Sequence, residues 1–189
     1  IGGGAGIGKA GLVEALGREA AARGALVLGG RCYDLAETPP YGPWVELFGQ
    51  NPADTDLLSP PGAFARRGSV GKIINQATLF AEVGDFLGAV AARRPVALFL
   101  DDLHWADPAS LDMLRSLART LSSVPLLAIA TYRREDVTSH HPLATLLPAL
   151  VREARADRLD LRELDDDAVR ALVQTRSALP APGRGRRAG

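Results

Sequence analysis

The chain has 189 residues, 47% of them apolar and 23% charged, and its 22 basic and 22 acidic side chains cancel. These are the proportions of one globular domain able to bury its own core, and zero net charge gives no reason to expect nucleic acid or an anionic membrane as a partner. The single Cys32 excludes a disulfide framework and a cysteine-rich zinc site, no apolar run is long enough to span a membrane and no signal peptide is visible, so a reducing cytoplasm is the expected compartment.

The first residues carry the sharpest signal. Gly3-Gly4-Ala5-Gly6-Ile7-Gly8-Lys9-Ala10 has the spacing of a P-loop: glycine, four residues, glycine, lysine. It opens into the apolar-periodic run Leu12, Val13, Leu16, which reads as a helix. Glycines let successive amides point inward at phosphate oxygens. The helix start adds unsatisfied N–H groups and a positive dipole end, and Lys9 offers a point charge to the β- and γ-phosphates. Ala10 stands where the pattern carries the serine or threonine hydroxyl that binds magnesium. A second reading is open at this point. Gly6, Gly8 and Gly11 also fit the dinucleotide fingerprint, with Arg31 as an NADP-type partner, although no strand runs into Gly6.

The helix is expected over residues 9–23, ended by Gly24, and the apolar run 25–28 reads as a buried strand. Residues 29–64, broken by six prolines from Pro39 to Pro61 and by Pro43 among them, read as a long loop with one short helix around 44–48. Leu79, Phe80, Val83, Phe86, Leu87 and Val90 recur at helical spacing and read as a core-facing stripe.

Residues 96–100 form a second buried strand, ending in Asp101-Asp102-Leu103-His104-Trp105-Ala106-Asp107. Four apolar residues and then an acid is the Walker B arrangement. Asp101 can hold magnesium, usually through water, and Asp102 can orient the attacking water. His104 beside Trp105 reads more readily as a packed structural residue than as a ligand. Asp107 caps the next helix, with Pro108 at its first position. Residues 126–131 read as a third buried strand leading to Arg133, a candidate for contact with the γ-phosphate. Pro142 opens a helix to Val151, residues 158–161 read as a last strand, and Asp165 caps a final helix, with Leu164 and Val169 as a hydrophobic staple. The ATPase domain is thus expected over 1–176. The proline-, glycine- and arginine-rich residues 177–189 read as a disordered, solvated tail.

Residues 3–16, Gly30-Arg31-Cys32-Tyr33 with Pro40-Tyr41-Gly42-Pro43-Trp44-Val45, Asp101 to Asp107, and Thr131-Tyr132-Arg133 together resemble the AAA-type signal-transduction ATPases, whose domains are similar to those of origin-recognition complexes. Such domains occur in large LuxR-type transcriptional regulators and beside adenylate cyclase or protein kinase domains. The resemblance spans about residues 2–173, and Asp-Asp-Leu-His-Trp-Ala-Asp is its most specific mark. It implies an α/β P-loop fold, a three-layer sandwich around a mostly parallel sheet. The strand before the loop lies at the centre, between 158–161 on one side and 126–131, 96–100 and 25–28 on the other. It also implies an ATP- and Mg2+-dependent switch controlling a covalently linked output domain, with no direct nucleic-acid binding by this domain. Lys9 is then the phosphate lysine, Asp101 and Asp102 the Walker B acids, and Arg133 the γ-phosphate sensor.

Ala10 leaves two functional classes open: an ATP-hydrolysing switch, or a nucleotide-binding or inert remnant without turnover. The chain begins without methionine, the strand expected before the loop is reduced to Ile1, and the helical lid is not represented. The expectation is therefore a fragment with a gap or an irregular substitute beside 126–131, unstable by itself.

Overall fold

The computed structural model describes residues 1–35, 39–49, 60–64, 75–121 and 123–177. In chain order its elements are β1 (Gly2–Gly3), α1 (Lys9–Ala22), β2 (Leu26–Arg31), α2 (Gly42–Gly49), α3 (Gln76–Ala91), β3 (Val96–Asp101), α4 (Pro108–Thr120), β4 (Leu126–Ala130), β5 (Tyr132–Arg133), α5 (Pro142–Ala154) and α6 (Asp166–Ser177). Short 3₁₀ turns lie at Gly62–Phe64 and Leu103–Trp105. Most of the expected tail, from residue 178 on, lies outside the described residues, as do residues 50–59 of the long loop.

The sheet is built around β3. Its first five residues, Val-Ala-Leu-Phe-Leu, are all buried, the pattern of a parallel strand covered on both faces. β2 and β4 flank it in parallel, with Leu26 and Leu126 each opposite Val96 and Arg31 opposite Asp101. Just past β4, β5 pairs in parallel with β1, Gly2 opposite Tyr132 and Gly3 opposite Arg133. Gly2 also bridges Asp160: its amide donates to the Leu159 carbonyl at 2.8 Å and its carbonyl accepts from the Leu161 amide at 2.8 Å. Read across the molecule, the order is 158–161, β1, β5 with β4, β3, β2. This is the expected α/β order of a P-loop NTPase-like fold. The central position is filled by two residues of β1, and the Ile1 amino group donates to the Ala130 carbonyl at 2.6 Å.

Alternation along the strands sorts the layers. Leu26, Leu28, Val96, Leu98 and Leu100 belong to one buried cluster with Trp44 and Leu47 of α2, Val83 and Leu87 of α3, and Met113 and Leu117 of α4. Phe99 and Val27 face the other way, toward Gly17 of α1, where an added Cβ would lie 3.5 Å from the Phe99 ring and 3.7 Å from Val27. The second face is the thinner one. Lys9 is the only buried residue of α1, and Leu16 remains 37% exposed.

Helix ends follow the local chemistry. Gly24, at φ +83°, ends α1. Asn75 caps α3, its side chain accepting from the Thr78 amide at 2.7 Å. Asp107 caps α4 by accepting from the Ser110 amide at 2.9 Å, and Asp165 accepts from the Ala168 amide at 2.8 Å.

Four expectations change. β2 runs on to Arg31 instead of ending at Leu28. Glycine weakens the sequence signal for a strand, but Gly29 and Gly30 are held in register opposite Phe99 and Leu100. Residues 126–131 are not a fully buried strand: Leu127 and Ala128 of β4 are exposed, Leu127 by 59%, because no strand pairs with the outer edge of β4 among the described residues. Residues 158–161 form a single bridge to Gly2 in place of a ladder. Leu164 and Val169 are both exposed, so neither is buried as a staple would be.

Gly30 lets α2 close onto the sheet. A Cβ there would fall on the Pro43 carbonyl, 2.8 Å from its carbon, whereas one at Gly29 would meet nothing within 4 Å. Gly30→Ala is expected to cost on the order of 3 kcal/mol by overpacking and Gly29→Ala far less. Denaturant unfolding of the two variants checks this.

Candidate functional site: a glycine-rich loop facing an acidic strand end

The loop between β1 and α1 takes its shape from two glycines. Gly6 has φ +71° and Gly8, the N-cap residue of α1, has φ +98°, a region that glycine enters without steric cost. No atom lies within 4 Å of a Cβ added at Gly4, Gly6 or Gly8, so no other side chain packs onto the loop at these positions. Lys9 folds back over it: its Nζ donates to the Gly3 and Gly4 carbonyls at 2.8 and 2.7 Å, and the residue is 8% exposed. The Ala5 amide donates to Glu135 Oε1 at 3.0 Å. A carboxylate thus rests on one of the loop amides. The Glu135 carboxyl is held below its ordinary pKa, first by its own backbone amide and further by Ala5, Lys9 and Arg133.

Opposite the loop, β3 ends in the two acids. Asp101 Oδ1 accepts from the Thr131 hydroxyl, and Oδ2 accepts from Arg31 Nη2 at 2.5 Å and Nε at 3.1 Å. Burial alone would raise the Asp101 pKa; the Thr131 and Arg31 bonds outweigh it and hold the carboxyl below its ordinary range. Thr131 is 1% exposed, and its hydroxyl also accepts from the Asp102 amide at 3.0 Å. Asp102 sits in the left-handed region at φ 57°, ψ 44°. A non-glycine residue there is held by its surroundings, and the bend carries its carboxylate out of the strand.

Between the two sides lies a cleft of ≈ 260 Å³. Gly6, Ile7, Gly8, Lys9 and Ala10 line it on one side, and Asp101, Asp102, Arg133 and Arg31 on the other. Sequence reading singled out all of these as site residues except Arg31, which it weighed only as a dinucleotide partner. Gly3, Gly4 and Ala5 do not line the cleft. They serve it from behind, through the carbonyls that take Lys9 and the amide that takes Glu135.

The residues fit a nucleotide phosphate chain: an open loop of amides at a helix start, a lysine beside it, and two arginines. They fit a metal less completely. Ala10 has no ligand oxygen, Asp101 is engaged by Arg31 and Thr131, and the described residues contain no cluster of three metal-binding side chains. Magnesium would be held chiefly by the nucleotide's own oxygens, with Asp101 at its edge.

A buried histidine braces the acidic side from beneath. The His104 ring lies 5.0 Å from that of Trp105, and its Nδ1 accepts from the Arg133 amide at 3.3 Å. Nε2 faces Asp136 Oδ2 at 3.5 Å, and neither atom has a hydrogen-bond partner within the described residues. The His104 carbonyl is in turn 3.0 Å from Nε2 of His141, the residue that caps α5. Thr131, Glu135, Asp136 and His141 are all contributors that sequence reading left without a site role. Each is an ordinary polar residue near a strand end or a turn, and only the tertiary contacts mark it. Cys32 is buried beside the site, and burial pushes its thiol up to about 12, which makes it a poor nucleophile.

Comparison with known proteins gives two matches. A family model described as "AAA ATPase domain" matches residues 1–129. An uncharacterized protein of Rhizobium meliloti (strain 1021) is 31% identical over 90 residues, 48% of this chain and 8% of that protein. The matched stretch is thus a small part of a much longer relative.

The histidine gives the site a pH signature. Burial pushes the His104 pKa below 6.5, against the opposing pull of Asp102 and Asp136 and with Arg133 and Lys9 acting in the same direction as burial. The unfolded chain therefore binds the proton first. This contribution to stability is complete above pH 6.5 and is lost as the pH falls toward the folded-state value. His104→Asn, which keeps an acceptor for the Arg133 amide, is expected to flatten the decline in melting temperature between about pH 6.5 and 5. Melting curves across that range measure it.

Proposed function

The chain belongs to the AAA ATPase domain family, and we propose that within it this domain is the ATP-binding switch of a signal-transduction ATPase. The observation that carries the proposal is the convergence on one cleft of the glycine loop, Lys9, the Asp101–Asp102 pair and Arg133. In this reading the domain works from the cytoplasm on a covalently linked output domain, DNA-binding, cyclase or kinase in type.

Each residue then has a part. The amides of residues 6–8, which line the cleft, and the α1 terminus hold the phosphate chain, with Gly3, Gly4 and Ala5 shaping the loop behind them. Lys9 leaves the Gly3 and Gly4 carbonyls for the β- and γ-phosphates, trading two neutral acceptors for charged ones. Asp102, turned out of the strand by its left-handed backbone, orients a water toward the γ-phosphate. Arg133 approaches the same phosphate from β5 and reports its presence through the His104 bond to its amide. Bound magnesium supplies neutralisation of phosphate charge. Asp101 would be the residue to hold it, and Thr131 fixes that carboxylate.

A second reading, binding without turnover, is favoured by the missing hydroxyl at Ala10 and by the Arg31 bond that competes for Asp101. In that case occupancy alone sets the switch.

Two measurements test these readings, the first what they share and the second the part of Ala10 in turnover. Lys9→Ala should weaken ATP binding on the order of tenfold to a hundredfold, the worth of a charge-assisted bond; unchanged affinity in calorimetry would remove the nucleotide reading. Ala10→Thr restores the ligand oxygen and should raise magnesium-dependent ATP turnover several-fold. Equal turnover in the two proteins would clear Ala10 of any part in slowing hydrolysis.

A further inference from the structure

We propose that Arg31 is the residue with which the cleft distinguishes a nucleoside triphosphate from a diphosphate, exchanging Asp101 for the third phosphate. The inference rests on the nucleotide reading of the cleft and adds to it a discriminating role for Arg31.

Three observations support it. Register comes first: Arg31 is the last residue of β2 and stands directly opposite Asp101, at the carboxyl edge of the sheet where the cleft opens. It enters from β2, while Arg133 enters from β5, so the two guanidiniums approach the acidic strand end from different strands. A phosphate chain laid along the loop from α1 points its terminal group toward this end, and a diphosphate stops short of it.

The second observation is how Arg31 is held. Both Nε and Nη2 donate to the same oxygen, Asp101 Oδ2, and the side chain is 47% exposed. The Asp101 side chain is 16% exposed, so the pair is open to water on the arginine's side, where solvent screens it. A planar fork of donors matches phosphate oxygens as well as it matches a carboxylate.

The third is what remains when Arg31 leaves. Asp101 Oδ1 keeps the Thr131 hydroxyl, and Thr131 stays fixed by the Asp102 amide, so the carboxylate is not stripped of donors. The cleft is lined by three cationic side chains and two carboxylates. The additional negative charge of a third phosphate is what draws one cation across. The exchange also frees Asp101 Oδ2, so triphosphate arrival and release of that oxygen become one event.

The test is equilibrium binding of ATP and of ADP to the full chain, with magnesium and with EDTA, for the native protein, Arg31→Met and Arg31→Lys. Arg31→Met is expected to weaken ATP by about tenfold and ADP by less than about twofold. The loss should persist in EDTA, since the contact runs from guanidinium to phosphate. Arg31→Lys, which keeps the charge without the fork, should recover part of the ATP preference, and it carries the test if the methionine variant does not fold. An ATP-to-ADP ratio unchanged by both variants, or affinity gained equally for both nucleotides, overturns the inference and leaves the nucleotide reading standing. A folded native protein that binds neither nucleotide overturns both.

Discussion

The site depends on how the end of β3 is tied to its neighbours. Thr131 donates its hydroxyl to Asp101 and accepts from the Asp102 amide, so one buried side chain fixes both the carboxylate and the backbone bend that follows it. Its own backbone completes the junction: the Thr131 amide donates to the Leu100 carbonyl at 2.9 Å, and its carbonyl accepts from the Leu103 amide at 2.8 Å. Buried polar groups satisfied this fully leave few alternative arrangements. The left-handed Asp102, the 3₁₀ turn after it and the burial of His104 all follow from that junction.

The cleft is neutralised from within. Lys9 rests on loop carbonyls, Arg31 on Asp101, and the Ala5 amide on Glu135. Each of these groups has a partner that a phosphate oxygen or an incoming cation could replace, and none is bound covalently. Binding at such a site is an exchange of partners. Its free energy is the difference between two sets of charge-assisted bonds, set largely by how exposed the first set is.

Stability is distributed unevenly across the sheet. On the face toward α2, α3 and α4, aromatic side chains reinforce the aliphatic core: Phe48 stacks on Phe64 at 4.9 Å and meets Phe86 edge-on at 5.6 Å. On the α1 side and at the outer edge of β4, apolar side chains such as Leu127 and Leu16 stay in contact with water. The glycine loop hangs from this thinner side, supported by two residues of β1 and their bonds to β5 and to residues 159–161. A loop that must rearrange its partners is thus placed where the fewest contacts resist it.

Much of this could be read from the chain itself. Glycine spacing marks the loop because glycine enters the positive φ found at Gly6 and Gly8 without steric cost. An apolar run ending in two acids marks β3 because a doubly covered strand has no polar position until it emerges. Asp107-Pro108 marks a helix start because capping is a local bond. What the sequence could not say is set by contacts between distant residues. β2 extends through Gly29 and Gly30 because β3 pairs with them and α2 needs the space, not because glycine favours a strand. Arg31, Thr131, Glu135 and His104 gained their positions from strand register and from the fold bringing residues 29 to 130 apart into bonding distance. Local propensity acts over a few residues and so leaves its mark on the sequence; a partner across the sheet leaves none, and only the packed structure decides it.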